Sequence, residues 1–257
     1  MMDSMGDRMK RYEAVTRSVL VRRMPVVLRL DGKAFHSFTK KVGAGRPFCE
    51  TLHGVMMATT AELVRSVQGC QVGYTQSDEI TLLLTDYEQL NTDAWFDYEV
   101  QKMVSISAAT ATAAFNAAGF AAGYKHTALF DSRAFNVPVD DVVNNFLWRQ
   151  KDASKNSISM YAQSMFSHAE LHGKNGDQKQ EMMFAKTGFN WNDATTWTKR
   201  GACVYRETRE VDTKNGKAPR SVQVHDNEIP LFNLDRDFIG RWLRTAGLGT
   251  ANSQKEV

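Results

Sequence analysis

Two short stretches carry the residues with which this sequence could do chemistry. The first, Val26-Val27-Leu28-Arg29-Leu30-Asp31-Gly32-Lys33-Ala34-Phe35-His36, is an apolar, β-favouring run that stops at a carboxylate, a glycine and a lysine. The second, Tyr74-Thr75-Gln76-Ser77-Asp78-Glu79-Ile80, sets two acids inside a strand-like segment, where a packed strand has little reason to tolerate them. Carboxylates brought to one spot repel and raise each other's pKa, so a fold keeps them together when a divalent cation neutralises them. An oxygen-only set without Cys or His suits Mg²⁺, which uses one or two carboxylates together with substrate phosphates. Asp31 and Asp78, with the Gly32 carbonyl free to turn inward, fit that account, and Lys33, Arg46 and Lys102 are the cations a triphosphate would want. The chemistry implied is metal-dependent phosphoryl or nucleotidyl transfer. The plainer alternative for the first stretch is a strand that ends in an Asp-Gly turn.

Other signals are weaker. His168 and His172 stand at i, i+4, but the zinc-protease helix needs Glu directly after the first His, and here Glu170 comes two residues later. There is no G-x-x-x-x-G-K-[ST] phosphate loop and no G-x-S-x-G nucleophile elbow. A haloacid-dehalogenase-like phosphatase would place a second Asp two residues past Asp31, where this chain has Lys33.

The elements that must position these residues follow from pattern. Pro25 and Gly32 bracket a strand on which Arg29 and Asp31 share one face and Leu28 and Leu30 the other. Pro47 is expected as the first residue of a helix through Leu52, Val55, Met56, Leu63 and Val67, stopped by Gly69, with Arg46 beside its N-terminus. Two antiparallel strands should meet near Gln76–Asp78, and only one of Asp78 and Glu79 can face Asp31 directly. A helix over about 92–116 and a strand over 128–137 complete a βαββαβ order. That is an α+β, ferredoxin-like arrangement with an antiparallel sheet, in which the loop after the first strand and the central hairpin lie on the same side. Beyond it the pattern predicts helices from Asp140 or Asp141 to Trp148, over 157–171 and over 178–186. A β-hairpin from 202–208 to 221–224 and a short helix over 235–244 follow. The organisation read is a core over 1–138 with an N-terminal helix, and a helical and hairpin extension over 139–257. The N-terminal helix, expected over 3–23, carries Arg8, Lys10, Arg11, Arg17, Arg22 and Arg23. It is either a solvated face or a patch for a phosphate backbone.

With 257 residues, 42% hydrophobic and 24% charged, the chain can bury a sizeable core, and its net charge of +3 permits contact with nucleic acid without arguing for it. Cys49, Cys70 and Cys203 are far apart, which excludes a cysteine zinc site and fits a reducing cytoplasm. No apolar leader opens the sequence and no run approaches the length of a membrane span, so no membrane partner is expected.

Leu30-Asp31-Gly32-Lys33-Ala34-Phe35-His36, Tyr74-Thr75-Gln76-Ser77-Asp78-Glu79, Phe130-Asp131-Ser132-Arg133 and Trp148-Arg149-Gln150 resemble the motifs of the tRNA-histidine guanylyltransferase family, in order and at matching spacing from about Gly6 to Arg206. The resemblance implies a core similar to a polymerase palm that adds nucleotides in the 3′-to-5′ direction. The 5′-monophosphate of a tRNA would be adenylylated with ATP, and the 3′-hydroxyl of GTP or another NTP would then displace AMP, with two Mg²⁺ ions at work. By position, Asp31, Gly32 and Asp78 match the metal ligands. Asp31 to His36 (Gly32, Lys33, Ala34 and Phe35 between) and Ser77 match nucleotide-binding segments. Arg46 matches a basic pocket residue, Lys102 a triphosphate-facing lysine and Asn156 a polar residue of a second nucleotide site. Glu79 matches an acidic position among the catalytic set whose role stays open. A cytoplasmic homo-oligomer, typically a tetramer, is also implied. Where the eukaryotic enzymes carry His-Ile-Asn-Asn-Leu-Tyr-Asn, this chain reads Asp152-Ala153-Ser154-Lys155-Asn156-Ser157-Ile158-Ser159-Met160. That form is similar to the bacterial, archaeal and phage branch, which is associated with template-dependent repair of tRNA 5′-ends. The alternatives are a strict guanylyltransferase adding G at position −1 of tRNA-histidine, and a non-catalytic RNA-binding protein on a palm scaffold.

Overall fold

A computed structural model describes residues 4–213 and 216–244. Helix α1 (Met5–Ala14) precedes strand β1 (Val26–Gly32), which is followed by helices α2 (Phe35–Lys41) and α3 (Glu50–Ser66). Then come β2 (Cys70–Gln76), β3 (Glu79–Leu84), α4 (Val100–Ala121) and β4 (Phe130–Asn136). The extension holds α5 (Val139–Met165), α6 (His168–Leu171), α7 (Gly176–Thr187), α8 (Thr196–Arg200), β5 (Ala202–Thr213), β6 (Gly216–Asp226) and α9 (Asp237–Gly240). The described strands form one six-stranded sheet in the order β4-β1-β3-β2-β5-β6, every pair antiparallel. Its first four strands are the ferredoxin-like order that the βαββαβ pattern predicts, and the hairpin of the extension continues the same sheet from β2.

Period-2 alternation sends the two faces of β1 to different neighbours. Val26, Leu28 and Leu30 sit in a core with Met56 and Leu63 of α3 and Met103 and Phe115 of α4. Val27 sits in a second core with Val72, Tyr74, Phe146 of α5 and Phe232 of the C-terminal segment. Burying both faces explains why β3 is buried along its whole length and reads as continuous Ile-Thr-Leu-Leu-Leu after its first residue. Helix α4 has the length and apolarity of a membrane span, yet its Met103, Ser107, Ala111, Phe115 and Gly119 are buried against the protein's own core.

Several expected boundaries move, each for a tertiary reason. The N-terminal helix ends at Ala14 because the next residues bond elsewhere. Leu20 N–H donates to Tyr98 O at 3.0 Å and Val21 N–H to Asn136 Oδ1 at 2.8 Å. Arg22 and Arg23 of the basic run then bind the buried Asp86, so they are structural. The same pairing holds 95–98 as a separate turn, with positive φ at Phe96, Asp97 and Tyr98, so α4 starts at Val100 rather than near 92. Helix α3 begins at Glu50, which leaves Pro47 in the preceding loop. Helix α5 runs unbroken where two helices are expected, because its mid-helix polar residues find partners. Arg149 donates to Asp152 at 2.9 Å and Ser154 Oγ to Lys199 O at 3.0 Å. Glu170 serves a capping box with Ser167, which accounts for the acid beside His168 and His172. The hairpin is longer than expected, β5 and β6 pairing from Cys203–Asp226 to Thr213–Gly216. Lys214 and Asn215 at its tip, and the polar tail after Arg244, lie outside the described residues.

Candidate active site

The β2–β3 hairpin turns through Ser77 and Asp78, with Gln76 opposite Glu79. Ser77 adopts φ 51°, a left-handed conformation that tight turns favour. Gly32 N–H donates to Asp78 O at 3.1 Å, tying this turn to the end of β1. The two stretches singled out in the sequence therefore meet. Burial pushes the Asp78 carboxyl up to about 6; the charge of Asp31 adds to the rise, and a hydrogen bond from Ser77 Oγ at 3.0 Å opposes it. A Cβ at position 32 would stand 2.4 Å from Phe35 Cδ2, so only glycine lets α2 fold back so closely after the strand. Ala34, at φ 51°, makes that reversal.

Register adds what the spacing left open. Asp31 pairs directly with Glu79 on β3 and with Asp131 on β4, so three acids stand abreast on one face of the sheet. Glu79 is neutralised: Arg149 Nε donates to Oε1 at 2.6 Å and its NH2 to Oε2 at 2.7 Å. Asp131 is more than half exposed, with Arg133 at 3.7 Å. Among the described residues, Asp31 and Asp78 are left as the acidic pair without an ion-paired cationic side chain, and this donor set fits a hard divalent cation. Two carboxylates with backbone oxygen, water and substrate phosphate are what Mg²⁺ takes. Among the described residues no three His, Cys, Asp or Glu side chains form a closed cage, so the rest of the shell would come from those other oxygens.

Asp78 and Ser77 stand at one wall of a cleft of about 400 Å³ at the end of the sheet. Phe48, Leu52, Met56, Met160 and Trp197 supply an apolar surface, while His36, Lys40, Arg46 and Gln163 supply polar and basic groups. His53 stacks on Trp197 at 4.1 Å between ring centroids and 15° between planes, tying α3 to α8 across the cleft. An apolar slot with a few convergent polar groups, and with Asp78 of the acidic pair in its wall, is the form of a small-ligand site.

Other expected residues fall as follows. The Lys33 side chain is exposed and its N–H donates to Leu129 O. The Phe35 ring is buried against Phe38 and Phe115, so only its backbone can face a ligand. Asn156 lies on the α5 face that carries Arg149 and Asp152, 3.5 Å from Asp152. Lys102 sits by Glu99 at 3.6 Å, in the first turn of α4. Helix α4 bonds to Ser132 and Phe130 on the face of the sheet opposite Asp31, and within one chain Lys102 does not join the acidic pair. Sequence reasoning did not find the Glu79–Arg149 pair or the Phe48, Met160 and Trp197 wall. Both depend on α5 and α8 crossing the sheet end, for which hydrophobic spacing carries no signal.

A ferredoxin-like palm bearing an acidic pair at the end of β1, beside a nucleotide-sized cleft, defines a nucleotidyltransferase of the polymerase-palm type. The family model for tRNAHis guanylyltransferase matches residues 6–138, just over half the chain. The chain belongs to the tRNAHis guanylyltransferase family, whose members are nucleotidyltransferases. A solved bacterial tRNA(His) guanylyltransferase-like protein in complex with ATP is 41% identical with a TM-score of 0.86, covering 94% of this chain and 100% of its own. One in complex with GTP is 42% identical with a TM-score of 0.80, covering 94% and 99%. The tRNA(His) guanylyltransferase of Saccharomyces cerevisiae is 26% identical over 75% of this chain and 86% of its own length.

Proposed function

We propose that this protein adds nucleotides in the 3′-to-5′ direction to the 5′-end of tRNA, with Mg²⁺, ATP and GTP or other NTPs, as a template-dependent repair of 5′-ends. The observation that carries the proposal is the meeting of Asp31 with Asp78, which stands in the wall of the cleft that holds Arg46, Lys40 and His36. In the first step a 5′-phosphate oxygen attacks the α-phosphorus of ATP and pyrophosphate leaves. In the second, the 3′-hydroxyl of the incoming nucleotide attacks the activated 5′-phosphorus and AMP leaves. Bound divalent cation would supply charge neutralisation at the phosphates and activation of the attacking hydroxyl. Asp31 and Asp78 would hold it, with Gly32 contributing backbone oxygen. Arg46, Lys40 and His36 would orient the phosphates of the nucleotide, and the Phe48–Trp197 wall would take a base. The bacterial guanylyltransferase-like proteins in complex with ATP and with GTP support the choice of substrates, and their higher identity supports the repair branch over strict addition to tRNA-histidine. Oligomeric assembly and cytoplasmic residence belong to the same proposal, and a mass measurement in solution checks the first.

The test is a 5′-truncated tRNA bearing a 5′-monophosphate, with ATP, labelled NTPs and Mg²⁺. Extension should copy the opposite strand. Addition of a single G to tRNA-histidine alone would favour the strict enzyme, and failure to adenylylate or extend any such tRNA would refute the enzymatic assignment.

A further inference from the structure

We propose that Arg149 is a positioning residue that withdraws Glu79 from the cation site, so that Asp31 and Asp78 act as a two-carboxylate pair rather than as part of a triad. This rests on the acidic-pair assignment above and goes beyond it by giving Glu79 and Arg149 their roles. Three observations carry it.

The first is register. Glu79 stands directly across from Asp31, where cross-strand Cβ atoms lie about 5 Å apart and like charges repel. Left alone, Glu79 would be the nearest additional ligand for any cation held by Asp31. The second is geometry. Both Glu79 oxygens are taken, at 2.6 and 2.7 Å, in the fork-to-fork arrangement that fixes a carboxylate in orientation as well as charge. The side chains are 9% and 11% exposed, so water competes little for either partner. The third is that Arg149 is itself held in place. Its guanidinium lies 4.4 Å from the centroid of the Trp148 ring, and its NH2 also reaches Asp152 at 2.9 Å. The next residue, Gln150, clamps the C-terminal segment: Nε2 donates to Pro230 O, and Phe232 N–H donates to Oε1, each at 2.9 Å. Trp148-Arg149-Gln150 thus anchors α5 on both sides and delivers one guanidinium to the acid beside Asp31.

The chemical consequence is a site of lower charge. Two carboxylates leave a Mg²⁺ ion free to exchange onto substrate phosphates. A third would tighten the protein's own hold on the metal.

The test reads the metal directly. Mn²⁺ alone is titrated into nucleotide-free protein and free Mn²⁺ is followed by its EPR signal. Glu79→Gln should leave the Mn²⁺ affinity within about twofold, whereas Asp31→Asn and Asp78→Asn should each weaken it about tenfold or more. Arg149→Met should tighten Mn²⁺ binding at least about threefold by releasing Glu79, and the Glu79→Gln/Arg149→Met double variant should return to the wild-type value. Because Arg149→Met leaves a buried carboxylate unpaired and can unfold the chain, the comparison of Glu79→Gln with Asp78→Asn decides by itself. If Glu79→Gln weakens Mn²⁺ binding as much as Asp78→Asn does, Glu79 is a ligand and the proposal is overturned. A folded Arg149→Met that binds Mn²⁺ like wild type also overturns it. If neither Asp31→Asn nor Asp78→Asn alters Mn²⁺ binding, the acidic-pair assignment fails on its own account, a result distinct from the other two.

Discussion

Two aspartates flank β3, and they meet opposite circumstances. Asp86, after its C-terminal end, is fully buried and complete: Arg22 Nε donates to it at 2.6 Å and the Arg23 N–H at 2.8 Å. Asp78, before its N-terminal end, is pressed toward Asp31 and has a serine hydroxyl from its own neighbour for support. A buried carboxylate with a cation and a backbone donor is a staple that fixes chain direction. A half-buried carboxylate facing another carboxylate is unfinished until something positive arrives. The same strand therefore ends once in structure and once in a place for chemistry. Asp86 is fully buried and Asp78 half-buried, and it is the partners of each that set their roles apart.

The largest effect that separates them should be on activity. Asp31→Ala or Asp78→Ala is expected to lower nucleotide addition by about 10³-fold or more, with the urea midpoint unchanged or higher because a repulsion has been removed. A large loss of stability in either variant would make the pair structural and break the comparison. Asp86→Ala should do the reverse. It should cost roughly 2–3 kcal/mol in urea unfolding, less than for a fully buried pair because the Arg22 side chain is 42% exposed, while activity per folded molecule persists. Gly32→Ala probes the backbone between these cases. The new methyl meets the Phe35 ring, which is hemmed in by Phe38, Phe115 and Phe130, and overpacking of that kind costs roughly 1–3 kcal/mol.

The smallest effect is in pH dependence. The Asp78 carboxyl is raised to about 6 from an ordinary 3.8, so the folded chain holds a proton that the unfolded chain releases. Its charged form costs stability above about pH 6, and that cost disappears as the pH falls through this value. In chelator, wild type should therefore gain roughly 1 kcal/mol between pH 7 and 5 relative to Asp78→Asn, whose side chain does not titrate. Parallel curves for the two proteins would show that Asp78 is not strained when metal is absent.

The features legible in the sequence share a physical origin in local pattern. The alternation of Val26 to Asp31 gave the two faces of β1, and the apolar spacing through Leu63 gave most of α3. The strand–helix–strand–strand–helix–strand order is enough to bring the end of β1 to the β2–β3 turn, and so Asp31 to Asp78. Helix ends were less legible. Residues 15–23 and 95–98 have helix-compatible composition, but their backbones pair with one another, and long-range hydrogen bonds outweigh a propensity worth tenths of a kcal/mol per residue.

The sequence by itself determined the palm, its acidic pair and the family motifs, because these depend on residue type, period and order along the chain. Only the tertiary structure decided which acids remain unpaired. The Asp31–Glu79–Asp131 row comes from strand register, and the neutralising Arg149 arrives from a helix 70 residues further along the chain, which packs on that same face of the sheet. Arg29 shows the same division: alternation places it on the face of Asp31, and the fold then sets its guanidinium 5.7 Å from the centroid of the Trp148 ring. Charge compensation is a property of neighbours in space, and no spacing rule along the chain encodes it.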